Sequence, residues 1–221
     1  PLQDPQELCR LLGEIRRANR RYGGVRVVLH HLAEFIPWIP HRPITVLDVA
    51  TASADIPQAV AEWARRKKLE IDITAVDLSG EILALARSGL VSYPEIALVR
   101  ADALRLPFAD RSFDIVISGL TLHHFTLAEG VVVLREIARV AREAFLVNDL
   151  VRSWTAYAGV WVDANVLGRG RLVKHDAPLS VLRSFTIPEL QQMAALAGLN
   201  GVEVRRHRFF RAALLRRPGG A

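Results

Sequence analysis

The sequence predicts an α/β protein built on a mostly parallel sheet with helices on both faces. Three observations predict it. From residue 44 onward, short runs rich in β-branched residues alternate with helical stretches. Those runs are apolar on both faces, as strands of a sheet covered on two sides must be. Aspartates recur directly after the first three of them, at Asp48, Asp77 and Asp102. A chain of 221 residues allows one large domain, or one with an added cap, and a sizeable core.

The elements follow in order. Leu8, Leu11, Leu12, Ile15 and Tyr22 fall near helical spacing until Gly23 and Gly24 break the run. A second amphipathic stretch carries Val25, Val28, Leu29, Leu32 and Ile36 and closes at "PWIPHRP", so residues 1–43 are expected to form a two-helix cap that includes His30 and His31. The main domain is expected over 44–217. Its strands are read at "ITVLDVA", "IDITAVDL", "EIALVRAD", "FDIVISG" and "AFLVNDL", with helices over 56–68, 79–90 and 127–142. "ALRLPFADRS" is the one crossover without a clear helix. After residue 151 a helix carrying Trp154, Tyr157 and Trp161 leads into an expected loop, "LGRGRLVKHDAPLSVLRS". Thr186 then caps a helix with Pro188 in its first turn and Gly198 at its end. Two strands near 202–208 and 209–216 are expected to pair antiparallel.

Composition narrows the function. Hydrophobic residues make up 51% and charged residues 24%, the profile of a soluble globular protein. No apolar run approaches the roughly 20 residues that span a bilayer, and "PLQDPQELCRLLGEIRR" has no secretory apolar core. Cys9 is the single cysteine, which excludes a disulfide within the chain and leads to the expectation of a cytoplasmic protein. The net charge of +6 comes mostly from arginines scattered along helix faces, so a solvated basic surface is expected in preference to a nucleic-acid tract. With no cysteine cluster and no H-E-x-x-H, no metal site is expected.

Neighbouring strands lie about 4.8 Å apart, so Asp48, Asp77 and Asp102 line the carboxyl edge of the sheet, where open α/β sheets bind ligands. Aspartates also cap helices and favour turns; three in register after apolar strands are less easily explained that way. An acid at the end of the second strand suits a ribose diol. The loop "VLDVATASADIP" lacks the G-x-G-x-x-G of dinucleotide sites, there is no G-x-x-x-x-G-K-[ST], and Asp55 at the helix start suits the helix dipole but repels phosphate. A cationic adenosine ligand fits better, and S-adenosylmethionine is one.

At these residues the chain resembles the class I S-adenosylmethionine-dependent methyltransferases, from about residue 44 to the end. "VLDVATASADIP", "AVDLSGEILALAR" and "RADALRLPFADRSFDIVISGLTLHHF" are similar to the motifs of the branch that modifies quinones and polyketides. The resemblance implies a Rossmann-like seven-stranded sheet of order 3-2-1-4-5-7-6 with strand 7 antiparallel, and an acceptor-site insertion at about 151–185. It also implies that Asp77 holds the ribose, Asp102 and Ala103 the adenine, and Asp48 to Ala54, including Ala50, Thr51 and Ala52, the methionine part. Leu78 and Ser118 complete the expected cofactor set. Ala50, Ala52 and Ala54 depart from the family, which has glycine there. Alanine at φ > 0 costs roughly 1–2 kcal/mol.

The resemblance to phenolic O-methyltransferases implies a base after the fourth strand, so His123 is the expected catalytic residue, with His124 and His175 as further candidates. The same segment also occurs in family members where it only packs or caps the next helix. Trp154, Tyr157 and Trp161 are candidate stacking residues for a planar acceptor, although such stripes often pack a core. Asp149 and Arg152 complete the expected substrate contacts, and Asp176 is a weaker candidate beside His175. The expected function is methylation of a small molecule, at the oxygen of a phenolic, quinone-like or polyketide acceptor, by a monomer or homodimer with neither membrane nor nucleic-acid partner. An RNA methyltransferase, and a non-catalytic binding protein with a degenerate cofactor loop, are the alternatives.

Overall fold

A computed structural model describes residues 5–40, 42–166 and 171–219, with side chains described for 7–40, 42–163 and 177–219. Helices α1 (Pro5–Arg21) and α2 (Gly24–Phe35) come first, divided at Gly23, which takes φ 79°. A Cβ at Gly24 would lie 2.7 Å from Asn19 Oδ1, so a side chain there would have to displace the Asn19 amide. The alternating part follows: β1 (Ile44–Val49), α3 (Asp55–Lys67), β2 (Ile71–Asp77), α4 (Gly80–Ser88), β3 (Ile96–Arg100), β4 (Phe113–Gly119), α5 (Leu127–Val140) and β5 (Ala141–Leu150). The chain ends with α6 (Trp154–Val166), α7 (Arg171–Arg183), α8 (Ile187–Leu196), β6 (Glu203–His207) and β7 (Arg211–Arg216).

The seven strands lie in the order β3-β2-β1-β4-β5-β7-β6. β1 to β5 are parallel, while β7 runs antiparallel to both β5 and β6, as the family resemblance implied. Alternate residues of each strand feed two cores. Val46, Ile73, Ile115 and Leu215 pack with α2 and α3 on one face; Leu47, Val116, Phe145 and Leu214 pack with α5 and α8 on the other. Burial on both faces explains why these strands read as continuous apolar runs.

Two expectations need correction. The stretch 167–184 was expected as a loop, yet Arg171–Arg183 form α7 with Pro178 inside it. Proline in a helix interior removes a backbone donor, and α7 has no apolar stripe by which to recognise it; it packs instead on α6, on α1 and on the turn at 122–124. Helix α5 stops at Val140, two residues before the expected end, and β5 begins at Ala141. Arg142 Nη1 pairs there with the buried Asp114 at 2.5 Å, which anchors the start of the strand.

Candidate functional site: the carboxyl edge of the sheet

Asp48 pairs in register with Ala75 of β2 and Ile117 of β4, so its carboxyl sits at the middle of the sheet. It is buried. Burial pushes its pKa up to about 8, with the nearby Thr51 hydroxyl opposing the rise and the charges of Asp55 and Asp77 adding to it. Among the described residues no cation offsets the charge of an ionised Asp48.

The loop from Ala50 to Ala54 carries three residues in the left-handed region, Ala50 at φ 58°, Ala52 at φ 47° and Ala54 at φ 54°. Each of the three alanines takes the left-handed conformation that glycine adopts without strain, in spite of its methyl group. Hydrogen bonds from Thr51 N to Val76 O (2.8 Å) and from Ala54 N to Thr51 O (2.9 Å) hold this course. Ala52 N donates to Asp77 Oδ2 at 2.9 Å, and Ser79 N donates to Asp77 Oδ1 at 3.0 Å. Each Asp77 oxygen accepts one backbone N–H and retains a lone pair, the requirement for receiving a diol. Leu78 is 61% exposed beside it, an apolar surface for a flat ring. Ser118 Oγ donates to Val49 O at 3.0 Å and so ties β4 to β1 without facing outward as a free hydroxyl. Asp102 is exposed and accepts from Leu104 N at 2.9 Å, with Ala103 buried next to it.

Asp55 exposes a polar network that the sequence did not reveal. It is 2% exposed and accepts from Ser53 Oγ at 3.2 Å and from Asn19 Nδ2 at 3.1 Å. Arg211 Nη2 donates to Asn19 Oδ1 at 3.3 Å, and Arg211 Nε donates to Tyr22 O at 2.9 Å. Burial lowers the Arg211 pKa to about 10, opposed by Asp149 and Asp55, so the guanidinium stays charged at neutral pH. Helix α1 and strand β7 are thereby tied to the loop. No local pattern marks Asn19 or Arg211, because their partners lie 36 and 192 residues away.

His123 follows β4 in a single turn at 122–124 and is buried. Its Nδ1 lies 2.8 Å from Asp149 Oδ1, and its backbone N–H donates to Asp149 Oδ2 at 3.2 Å. Burial works against the Asp149 carboxylate, but the His123 charge and N–H bonds from His123 and Leu150 outweigh it and hold its pKa below the ordinary value. An ionised carboxylate only accepts, so Nδ1 donates to Asp149 and Nε2 is the ring nitrogen left outside that contact. The exposed His124 ring lies tilted by 39° against that of His123, with centroids 4.2 Å apart; loss of solvent around it and the nearby His123 ring lower its pKa.

The expected acceptor residues divide. Asp149 serves His123. Arg152 Nη2 is paired with Glu189 Oε1 at 2.6 Å, while the other Glu189 oxygen closes the cap of α8 on Thr186. Trp154 is 81% exposed and meets Tyr157 edge to face at 6.4 Å; Trp161 is half exposed. His175 and Asp176 belong to helix α7, with side chains outside the described residues.

The donor set suits S-adenosylmethionine. Crowded carboxyls at Asp48, Asp55 and Asp77 favour a cation over a phosphate, and Asp77 and Leu78 suit a ribose and an adenine. Comparison with known proteins agrees. Residues 47–144 match the family model described as a methyltransferase domain. Over 111 residues the chain is 32% identical to the demethylmenaquinone methyltransferase of Chlorobaculum tepidum, covering 50% of this chain and 43% of that protein. Over 124 residues it is 32% identical to the ubiquinone/menaquinone biosynthesis C-methyltransferase of Rickettsia prowazekii, covering 54% and 46%. The chain thus spans less than half the length of these curated relatives. Among solved structures, a SAM-dependent methyltransferase from Aquifex aeolicus superposes with a TM-score of 0.65 at 15% identity, covering 96% of this chain and 97% of that one. Human N-acetylserotonin methyltransferase, solved in complex with SAM, superposes with a TM-score of 0.68 at 15% identity over 98% of this chain and 57% of its own.

Proposed function

We propose, from the match of residues 47–144 to a methyltransferase-domain model, that this protein transfers a methyl group from S-adenosylmethionine to a phenolic or quinol-type small molecule. The observation that carries the cofactor is the acidic edge closed by the Ala52 N–H on Asp77. When bound, S-adenosylmethionine supplies an electrophilic methyl group on a sulfonium sulfur. Asp77 orients the ribose, Leu78 and Ala103 border the adenine, and Asp48 and the 50–54 loop receive the cationic methionine end. His123, held by Asp149, takes the acceptor's hydroxyl proton on Nε2, and the Asp149 carboxylate stabilises the resulting imidazolium.

A phenolate shares its charge between oxygen and ring carbons. Oxygen is the site expected from the sequence, while the Rickettsia relative is named a C-methyltransferase, which favours carbon. The reduced form of a demethylmenaquinone, the acceptor class in the Chlorobaculum name, is the first acceptor to assay. Its product separates the two outcomes: an added methyl retaining both hydroxyls means carbon, and a methyl ether means oxygen.

Calorimetric titration with S-adenosylmethionine and S-adenosylhomocysteine tests the reading directly. Saturable binding of both is expected, weakened more than about tenfold by Asp77→Ala, which removes a charged acceptor from the diol. Absence of binding at about millimolar ligand overturns it and leaves a non-catalytic protein with a methyltransferase fold. On the acceptor, His123→Gln is expected to slow turnover roughly 10²–10⁴-fold with cofactor affinity intact.

A further inference from the structure

Three of the chain's seven histidines meet at the outer edge of the sheet, where His30 and His31 of α2 lie against His207 at the end of the edge strand β6. His30 Nε2 lies 3.7 Å from Glu34 Oε1, and His31 Nδ1 lies 3.1 Å from Glu34 Oε2. Ligand atoms of His30, His31 and Glu34 all fall within 4.8 Å of one another. His31 Nε2 lies 3.0 Å from His207 Nε2. We propose that His30, His31 and Glu34 bind a first-row divalent transition-metal ion, with His207 fixing the His31 ring from behind.

The distances and the chemistry support this site together. Metal–nitrogen and metal–oxygen bonds of about 2.0–2.2 Å place adjacent ligand atoms a little over 3 Å apart. The two contacts to Glu34 are already near that spacing, and His30, which is exposed, can turn to close the third. Two imidazoles and one carboxylate on one face, with remaining positions open to water, suit nickel, cobalt, copper or zinc and suit magnesium or calcium poorly. The His31 ring uses one nitrogen toward Glu34 and the other toward His207, the arrangement by which outer partners orient metal-ligating histidines.

Other charges set the strength. Arg217 Nη2 is 3.2 Å and Arg205 Nη1 is 3.9 Å from Glu34 Oε2. They hold the carboxylate in place and repel a dication, so the affinity is expected to fall well short of structural zinc sites. The sequence does not advertise this site because His30, His31 and Glu34 fit neither H-E-x-x-H nor a cysteine cluster, and His207, which orients the His31 ring, lies 176 residues away.

The test uses the tag-free chain stripped with EDTA. Ni²⁺ is titrated by calorimetry at pH 7.5 in a non-coordinating buffer, and Co²⁺ by its visible absorption. One ion per chain is expected, with His30→Gln and Glu34→Gln each weakening binding by about tenfold or more. His30 is exposed and Glu34 lies partly at the surface, so both variants are expected to fold, which their melting without metal verifies. No saturable binding below about 1 mM of either ion overturns the proposal. Equal binding by wild type and both variants overturns it too, since the ion then sits elsewhere, for example at the exposed Cys9.

Discussion

Asp48 and the three loop alanines show how far single residues are stressed at this edge. Because the folded-state pKa of Asp48 is raised to about 8, the native protein keeps a proton that the unfolded chain releases near pH 4. Its contribution to stability is therefore complete below about pH 4 and is lost as pH rises through about 8. Asp48→Asn is expected to flatten that part of the stability–pH profile, as measured by urea unfolding at several pH values. A bound sulfonium or ammonium favours the ionised carboxyl, so cofactor binding near pH 7 is expected to release a proton. Calorimetry in buffers of different ionisation enthalpy reads this directly, and a buffer-independent heat contradicts it. Ala52, at φ 47°, yields a second prediction. Ala52→Gly removes a left-handed penalty of roughly 1–2 kcal/mol while adding about 0.5–1 kcal/mol of chain entropy cost, so a small net gain in stability is expected. A loss in denaturant melts would mean that the methyl packs favourably. Asp149→Asn lets the amide donate to Nδ1 and hold the wrong tautomer, and turnover is expected to fall while cofactor affinity stays unchanged.

Among the elements, the loop with its helix α3 depends on α1, which crosses to meet it through Asn19. Asn19→Ala leaves the buried Asp55 without one of its donors and breaks the bridge to Arg211, and a destabilisation of about 1–3 kcal/mol is expected. A melting temperature equal to wild type would show that α1 is only laid against the loop. The alternating strands and helices were legible because each buries residues in a local periodic pattern. Helix α7 was not, since Pro178 and the lack of an apolar stripe remove both local signals, and packing on α6 and the 122–124 turn supplies what they would have given.

At the scale of the whole molecule, the net charge of +6 governs nonspecific contacts. The arginines are spread over many elements, and several are engaged: Arg65 with Glu95, Arg139 with Asp110 and Glu136, Arg152 with Glu189. Retention on RNA at low salt is accordingly expected to vanish by about 200 mM salt, and binding that persists there would favour an RNA acceptor. What the sequence determined by itself was the sheet, its two-sided burial and the placing of Asp48, Asp77 and His123 at strand ends, because strand periodicity and the residue that ends a strand are local properties. Only the tertiary structure decided that the alanine loop keeps its left-handed course, that Asp149 serves His123, and that α1 and Arg211 brace Asp55. These depend on groups brought within hydrogen-bond reach from distant parts of the chain, where burial makes each unsatisfied partner costly, and no local pattern encodes a contact of that kind.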